Sequence, residues 1–175
     1  MTTALERAIQ LNQTTANDVA IVNTGAWYMG HGERADTAHL QEVQGFAALM
    51  SRKLPRMPRV IWRETYASHF DSTDGVFQST ALTRSGIRPT CTEWNGWEKP
   101  RVLQRVHRLL RASEGVELLP LWEATRDLAA LHAQTDALHY NTGDAADCLH
   151  FCLFSGIEDA VMDAVAETLH APKAV

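Results

Sequence analysis

The sequence predicts an α/β protein built around a parallel β-sheet, and three observations support this class. Short runs rich in β-branched and apolar residues recur along the chain, at 18–24, 59–65 and 116–120. Stretches with apolar residues at three- and four-residue steps separate these runs, as in amphipathic helices. Strands that alternate with such helices are the pattern of parallel strands joined by right-handed crossovers.

The first half of the chain predicts two helices and two strands. The chain opens with an amphipathic helix, and the run at 18–24 follows it. This run has no polar face, which favours a strand buried on both sides. A second helix is predicted over 36–53 and ends before Pro55, because proline cannot continue a helix. The run at 59–65 is the second strand.

The second half begins with a long polar segment, 66–100, which glycine and proline interrupt repeatedly. A segment of this length without a regular pattern is usually functional. The elements predicted after it are a helix at 101–112, a strand at 116–120, a helix at 122–132 and a closing helix at 157–170. No linker divides the chain, so 1–175 is predicted to form a single domain.

Composition excludes several classes of function. Hydrophobic residues make up 45% of the chain and charged residues 21%, with a formal net charge of −5, which is typical of a globular protein. Nucleic-acid partners are not expected, because the charge does not favour a phosphate backbone. No apolar run is long enough for a membrane span, and the opening residues lack the apolar core of a signal peptide.

The three cysteines, Cys91, Cys148 and Cys152, leave two interpretations open. An odd number does not close a disulfide framework, so one cysteine is unpaired or has its partner in another chain. In the first interpretation Cys91 pairs with Cys148 or with Cys152. In the second, Cys148, His150, Cys152 and His139 hold a zinc ion, although the alternating spacing is not that of common zinc fingers.

The pair Asp147 and His150 has the spacing Asp-x-x-His. On a turn, this spacing can place the carboxylate beside one imidazole nitrogen and leave the other facing outward as a general base. Such a base acts on a nucleophile within hydrogen-bond reach. The alternative is that Asp147 caps the last helix and His150 is an ordinary, partly buried histidine.

Three segments carry motif residues in a fixed order, namely DVAIVNTGAWY, VIWRETYASHF and DCLHFCLFSGIED. Together they resemble the PC-esterase family, which includes the plant trichome-birefringence-like proteins. The last segment is similar to that family's Asp-Cys-x-His-Trp-Cys-x-Pro-Gly run followed by an aspartate. The matching residues, in chain order, are Asn23, Gly25, Trp27, Arg63, His69, Phe70, Asp147, Cys148, His150, Cys152, Gly156 and Asp159. Cys91 also falls where the family has a cysteine.

The resemblance implies a three-layer sandwich with a parallel sheet, of the SGNH or flavodoxin-like type, and a Ser-His-Asp triad. It implies an O-acetyltransferase or esterase that moves an acyl group from an acyl donor to a sugar hydroxyl of a polysaccharide, or to water, without a cofactor. His150 would be the general base and Asp147 its orienting partner. Members lie in the Golgi or another secretory lumen, behind a membrane anchor. A non-catalytic carbohydrate-binding pseudoenzyme is the alternative, beside the zinc-stabilised module.

The sequence departs from the family at the nucleophile, because it contains no Gly-Asp-Ser motif. We therefore expect an N-terminally truncated member that lacks the first, serine-bearing strand and is inactive and marginally folded by itself. The family's asparagine donor to the oxyanion hole is also absent, and Asn23 beside Gly25 is the expected substitute. Arg63 and His69, at and after the end of the second strand, are expected to contact substrate.

Overall fold

A computed structural model describes residues 2–25, 28, 32–70, 72, 75, 91–96, 98–133, 147–151 and 155–170. The helices are α1 (Thr2–Gln10), α2 (Glu33–Ser51), α3 (Arg101–Arg111), the single turn α4 (Trp122–Thr125) and α5 (Ile157–His170). A 3₁₀ turn spans Ala129–Leu131. The strands are β1 (Val19–Val22), β2 (Arg59–Arg63), β3 (Val116–Leu119), β4 (His132–Ala133) and β5 (Asp147–Phe151).

The chain divides into two compact units. The first comprises 1–65 and 98–122, and the second comprises 66–97 and 123–175. The expectation of one domain over 1–175 stays a prediction.

The first unit confirms the α/β class with a parallel sheet. Its strands lie in the order β1-β2-β3, with β1 parallel to β2 and β2 parallel to β3. Helix α2 packs against α3, and α3 packs against β3. The central strand β2 has its three middle residues buried, and Trp62 packs on Phe46 of α2 with ring centroids 5.3 Å apart. The sheet therefore has its apolar core around β2.

The environment predicted for the first strand is wrong. None of the four apolar residues of β1 is buried, and Val19 and Ile21 are 41% and 47% exposed. The exposed Val19 and Ile21 alternate with half-buried residues and so share one face of the strand, and in the described sheet β1 has β2 on one side only. Its sequence is that of an interior strand in an edge position.

The second unit contains a two-stranded antiparallel sheet, in which β4 pairs with β5. The helix predicted over 122–132 is much shorter in the structure, where it ends at Thr125 and the chain is extended again at His132. Pairing with β5 favours the extended form there, and this interaction depends on residues far along the chain. Helix α5 buries Ile157, Val161 and Val165, which follow the four-residue spacing of one helix face.

Candidate functional site

The strand β5 carries both residues of the Asp-x-x-His motif. Asp147 and His150 therefore have extended backbones, whereas the sequence favoured a turn for them. The side chains of these two residues are outside the described part of the structure, so their pairing stays a prediction. Between them, Cys148 is fully buried.

Cys148 forms a disulfide with Cys91, and the two Cα atoms lie 5.2 Å apart. The bond joins residues 57 positions apart and connects the long middle segment to β5. A cysteine in a disulfide has no thiolate to give to zinc, so the zinc interpretation loses Cys148 as a ligand. Cys152 and His139, its other proposed ligands, lie outside the described residues.

Backbone hydrogen bonds join the second and third motif segments within the second unit. The His69 N–H donates to the Cys148 carbonyl at 2.9 Å, and the Thr92 N–H donates to the His69 carbonyl at 2.9 Å. Phe70 and Cys91 form an isolated antiparallel bridge. Residues that are widely separated in the sequence thus lie around one disulfide.

The His69 ring is fully enclosed, and both its nitrogens have partners. Its Nε2 lies 2.6 Å from the Arg126 carbonyl oxygen, which can only accept, so Nε2 carries the proton. Its Nδ1 lies 2.6 Å from Nε2 of His132 and, in a neutral ring, accepts that N–H. Burial lowers the pKa of His69, against smaller opposing effects of the Arg126 carbonyl and Asp127, which favours this neutral form.

In this structure both ring nitrogens of His69 have internal contacts, and the substrate contact expected of it stays a prediction. His132, its partner, is 2% exposed and stacks on Phe151 of β5, with ring centroids 4.1 Å apart and planes 15° from parallel. Tyr66 meets the edge of the same phenyl ring at 5.3 Å. Sequence reasoning missed His132, because a lone histidine at the end of an apparent helix carries no motif.

At the carboxyl ends of β1 and β2, Asn23 and Gly25 lie close to the chain that follows β2. The Asn23 Nδ2 donates to the Arg63 carbonyl at 2.8 Å and so ties the two strand ends together. An amide nitrogen has a second N–H, so the oxyanion role of Asn23 stays a prediction. Gly25 is buried at φ +132°, and a Cβ there would lie 2.9 Å from the Thr65 Oγ1.

His39 of α2 lies against Gly25 and has an unusual environment. A Cβ on Gly25 would come within 3.1 Å of its Cε1, and its other face stacks on Tyr28 with ring centroids 4.8 Å apart. The side chain is fully buried, and within the part of the chain that the structure describes neither ring nitrogen has a hydrogen-bond partner. Burial lowers the pKa of His39, and the nearby Glu42 carboxylate opposes this only in part.

Glu64 is the first residue after β2, and its carboxylate is 2% exposed. Its Oε2 accepts the backbone N–H groups of Leu121 and Trp122, each at 2.9 Å. Its Oε1 lies 2.8 Å from the Lys99 Nζ and 2.6 Å from the His107 Nε2. Burial alone raises the pKa of Glu64, but these contacts outweigh it and hold the pKa below its ordinary value.

The signal for Glu64 was weak, since it was only one acidic residue directly after an apolar strand. Only the structure shows that its carboxylate lies between Lys99 and His107. His39 had no signal at all, because one histidine among apolar helix positions is common.

Over the described ranges, no group of three or more His, Cys, Asp or Glu side chains converges as a metal site requires. None of the helices described here is long and apolar enough to cross a membrane. Comparison with known proteins found no matching family model, no matching curated protein and no matching solved structure.

Proposed function

We propose that this chain supplies the general base His150 and its orienting carboxylate Asp147 to a Ser-His-Asp site that acylates or deacylates sugar hydroxyls. One observation carries the proposal. The segments that resemble the PC-esterase motifs at His69, Cys91 and Asp147–Phe151 lie around one disulfide in the second unit. Two of the three motif segments thus lie together with Cys91 in the folded second unit.

In the proposed reaction, a serine oxygen attacks the carbonyl carbon of an acyl donor while His150 takes the serine proton. The tetrahedral intermediate collapses to an acyl-serine, and the protonated His150 gives its proton to the leaving group. A sugar hydroxyl, or water, then attacks the acyl-serine as His150 accepts its proton, and the second tetrahedral intermediate collapses with cleavage of the acyl–serine bond while His150 returns the proton to the serine oxygen. Asp147 holds the imidazole in the correct tautomer and stabilises its charged form.

The Gly-Asp-Ser nucleophile motif is the part that this sequence does not contain, and in the proposal a further strand bears it. The apolar residues Val19 and Ile21 of β1 are exposed, whereas an interior strand sequence is expected to be covered, and this supports a sheet with a further strand. The finer fold expectation, a three-layer SGNH-type sandwich around this sheet, belongs to the same proposal. A secretory or Golgi location follows from it and is equally a proposal.

The pairing of Asp147 with His150 can be tested without the serine. A carboxylate beside an imidazole favours the charged ring, so Asp147→Asn is expected to lower the pKa of His150. Titration of the His150 ring signals by NMR measures this. The matched control is Asp163→Asn on the exposed side of α5, which should leave the titration unchanged. Equal His150 titrations in the wild type and in Asp147→Asn would overturn the proposed dyad.

A second measurement tests the origin of the nucleophile. The 175-residue chain and its His150→Ala variant are expected to hydrolyse an aryl acetate equally slowly. Hydrolysis that the wild-type chain performs and His150→Ala loses would place the nucleophile within this sequence and refute the proposed further strand.

A further inference from the structure

Helix α3 carries a row of four arginines along one side, at Arg101, Arg105, Arg108 and Arg111. All four are exposed, and the helix contains no acidic residue. At 100° per residue they fall within an arc of about 120°, and at 1.5 Å per residue the row is about 15 Å long. We call these four residues the arginine row.

The opposite side of α3 is buried, through Val102, Leu103, Val106 and Leu110. The apolar face is therefore already occupied by the protein itself. A helix that lies in a membrane surface needs that face for the lipid. Any partner of α3 must consequently bind through the arginine row alone.

The row lowers the stability of its own helix. Its three neighbouring pairs have spacings of three or four residues, and each like-charged pair of this kind destabilises a helix. Arg101 also stands in the first turn, where the helix dipole disfavours a cation. Only Arg108 and Arg111, in the last turn, gain from the dipole. A merely solvated face would be more stable with charges of both signs.

Few acidic groups of the protein neutralise the row. Arg105 interacts electrostatically with the carboxyl group of Asp36 on α2. Among the residues that the structure describes, Arg101, Arg108 and Arg111 take part in no ion pair. The row is thus a concentrated positive stripe on a chain whose net charge is −5.

We propose that the arginine row docks a linear polysaccharide that bears carboxylates. That the partner is a glycan rests on the function proposed above. That the glycan is acidic rests on the positive charge of the arginine row. A guanidinium group presents a planar fork of N–H donors that matches a carboxylate in bidentate fashion. A polymer with carboxylates on successive sugars offers the repeated negative charge that four regularly spaced arginines require.

The magnitudes disfavour a second copy of the chain as the occupant. Helix α5 does expose an acidic row, Asp159, Asp163 and Glu167. Each exposed ion pair contributes little, whereas association of two proteins costs translational, rotational and side-chain entropy that three such pairs do not offset. A flexible polyanion instead gains from the release of its condensed counterions and from binding in many registers.

Binding of fluorescently labelled alginate, a polyuronate, tests the proposal. The wild-type chain should bind it, and the affinity should fall at least about tenfold between about 50 mM and about 200 mM salt, by counterion release. Arg101→Gln/Arg108→Gln should weaken binding several-fold. The matched control Arg7→Gln/Arg34→Gln removes two exposed arginines elsewhere and should leave binding unchanged. Thermal unfolding checks that each variant is folded.

Three outcomes would overturn the proposal. The first is that the wild-type chain does not bind alginate, and the second is that the control variant loses as much alginate affinity as the arginine-row variant. The third is that the chain binds duplex DNA, or vesicles containing anionic lipid, as tightly as it binds alginate. Salt-sensitive self-association in sedimentation, abolished by the row variant and accompanied by no alginate binding, would assign the row to a second copy. Asp147→Asn should bind alginate as the wild type does, so the docking surface and the proposed acyl-transfer site can fail separately.

Discussion

Replacing Glu64 by glutamine should destabilise the first unit more than any other single change of charge among its described ion pairs. The substitution keeps the shape of the side chain but leaves the buried Lys99 without its counter-charge and His107 without the carboxylate oxygen that it contacts. Their side chains are only 10% and 12% exposed, so water cannot replace the carboxylate. If the glutamine amide is oriented with its nitrogen toward the backbone N–H groups of Leu121 and Trp122, donors face donors and both of these hydrogen bonds are lost.

The expected loss is about 3–5 kcal/mol in the free energy of unfolding, the range found when one partner of a buried ion pair is removed. A loss of this size is a large fraction of the stability of an ordinary domain, about 5–15 kcal/mol. Urea unfolding, followed by circular dichroism and by tryptophan fluorescence, measures it. The matched control is Glu114→Gln, the same chemical change in an ion pair with Lys53 whose side chains are both 73% exposed. It should have no measurable effect.

The effect should also depend on pH in a defined direction. Because the pKa of Glu64 is lowered in the folded chain, the contribution of its charge is complete above its ordinary value of 4.5. It is lost as the pH falls through the lowered folded pKa. The stability difference between wild type and Glu64→Gln should therefore shrink in acid. If Glu64→Gln changed the stability at neutral pH no more than Glu114→Gln does, the buried carboxylate of Glu64 would not stabilise the first unit as argued above.

Three further changes test other parts of the structure by urea unfolding. Gly25→Ala should destabilise the chain by at least about 1 kcal/mol more than Gly115→Ala, since both positions have positive φ but only a Cβ on Gly25 meets the Thr65 hydroxyl. The wild type should lose stability as the pH falls below about 6.5, because the unfolded chain protonates His39 at a higher pH than the folded chain does. His39→Leu should reduce that loss. Cys91→Ser should cost about 4 kcal/mol by the chain-entropy relation for a loop of 57 residues. Equal losses of stability in Gly25→Ala and Gly115→Ala would contradict the first prediction. An unchanged pH profile in His39→Leu would contradict the second, and an unchanged urea midpoint in Cys91→Ser would contradict the third.

Much of the secondary structure was predictable because its causes are local. The strands β1, β2 and β3 begin within one residue of the predicted starts, because each is a short apolar run bounded by breaking residues, and β1 and β2 are also rich in β-branched residues that disfavour helix. Helix α5 was predicted over its full length from the spacing of its apolar residues. The alternation of these elements was sufficient to predict the parallel sheet.

The partners of the polar side chains were not predictable from these patterns. The strand sequence around Glu64 does not indicate that Lys99 and His107 will surround its carboxylate, because that depends on how α3 packs. Helix α4 is short because of a contact between residues that are distant in the sequence: β4, which follows it, pairs with β5, and this pairing overrides the local preference for helix.

The sequence by itself predicted the α/β class, the strands β1, β2 and β3 and the helices between them; the candidate base His150 and its candidate partner Asp147 stay predictions. Only the tertiary structure decided that β1 is an edge strand, that Cys91 is bonded to Cys148, and that His69 is turned inward onto His132. The physical reason is range. Helix and strand preferences act within a few residues, whereas burial, ion pairing and disulfide bonding act between residues that only folding brings together.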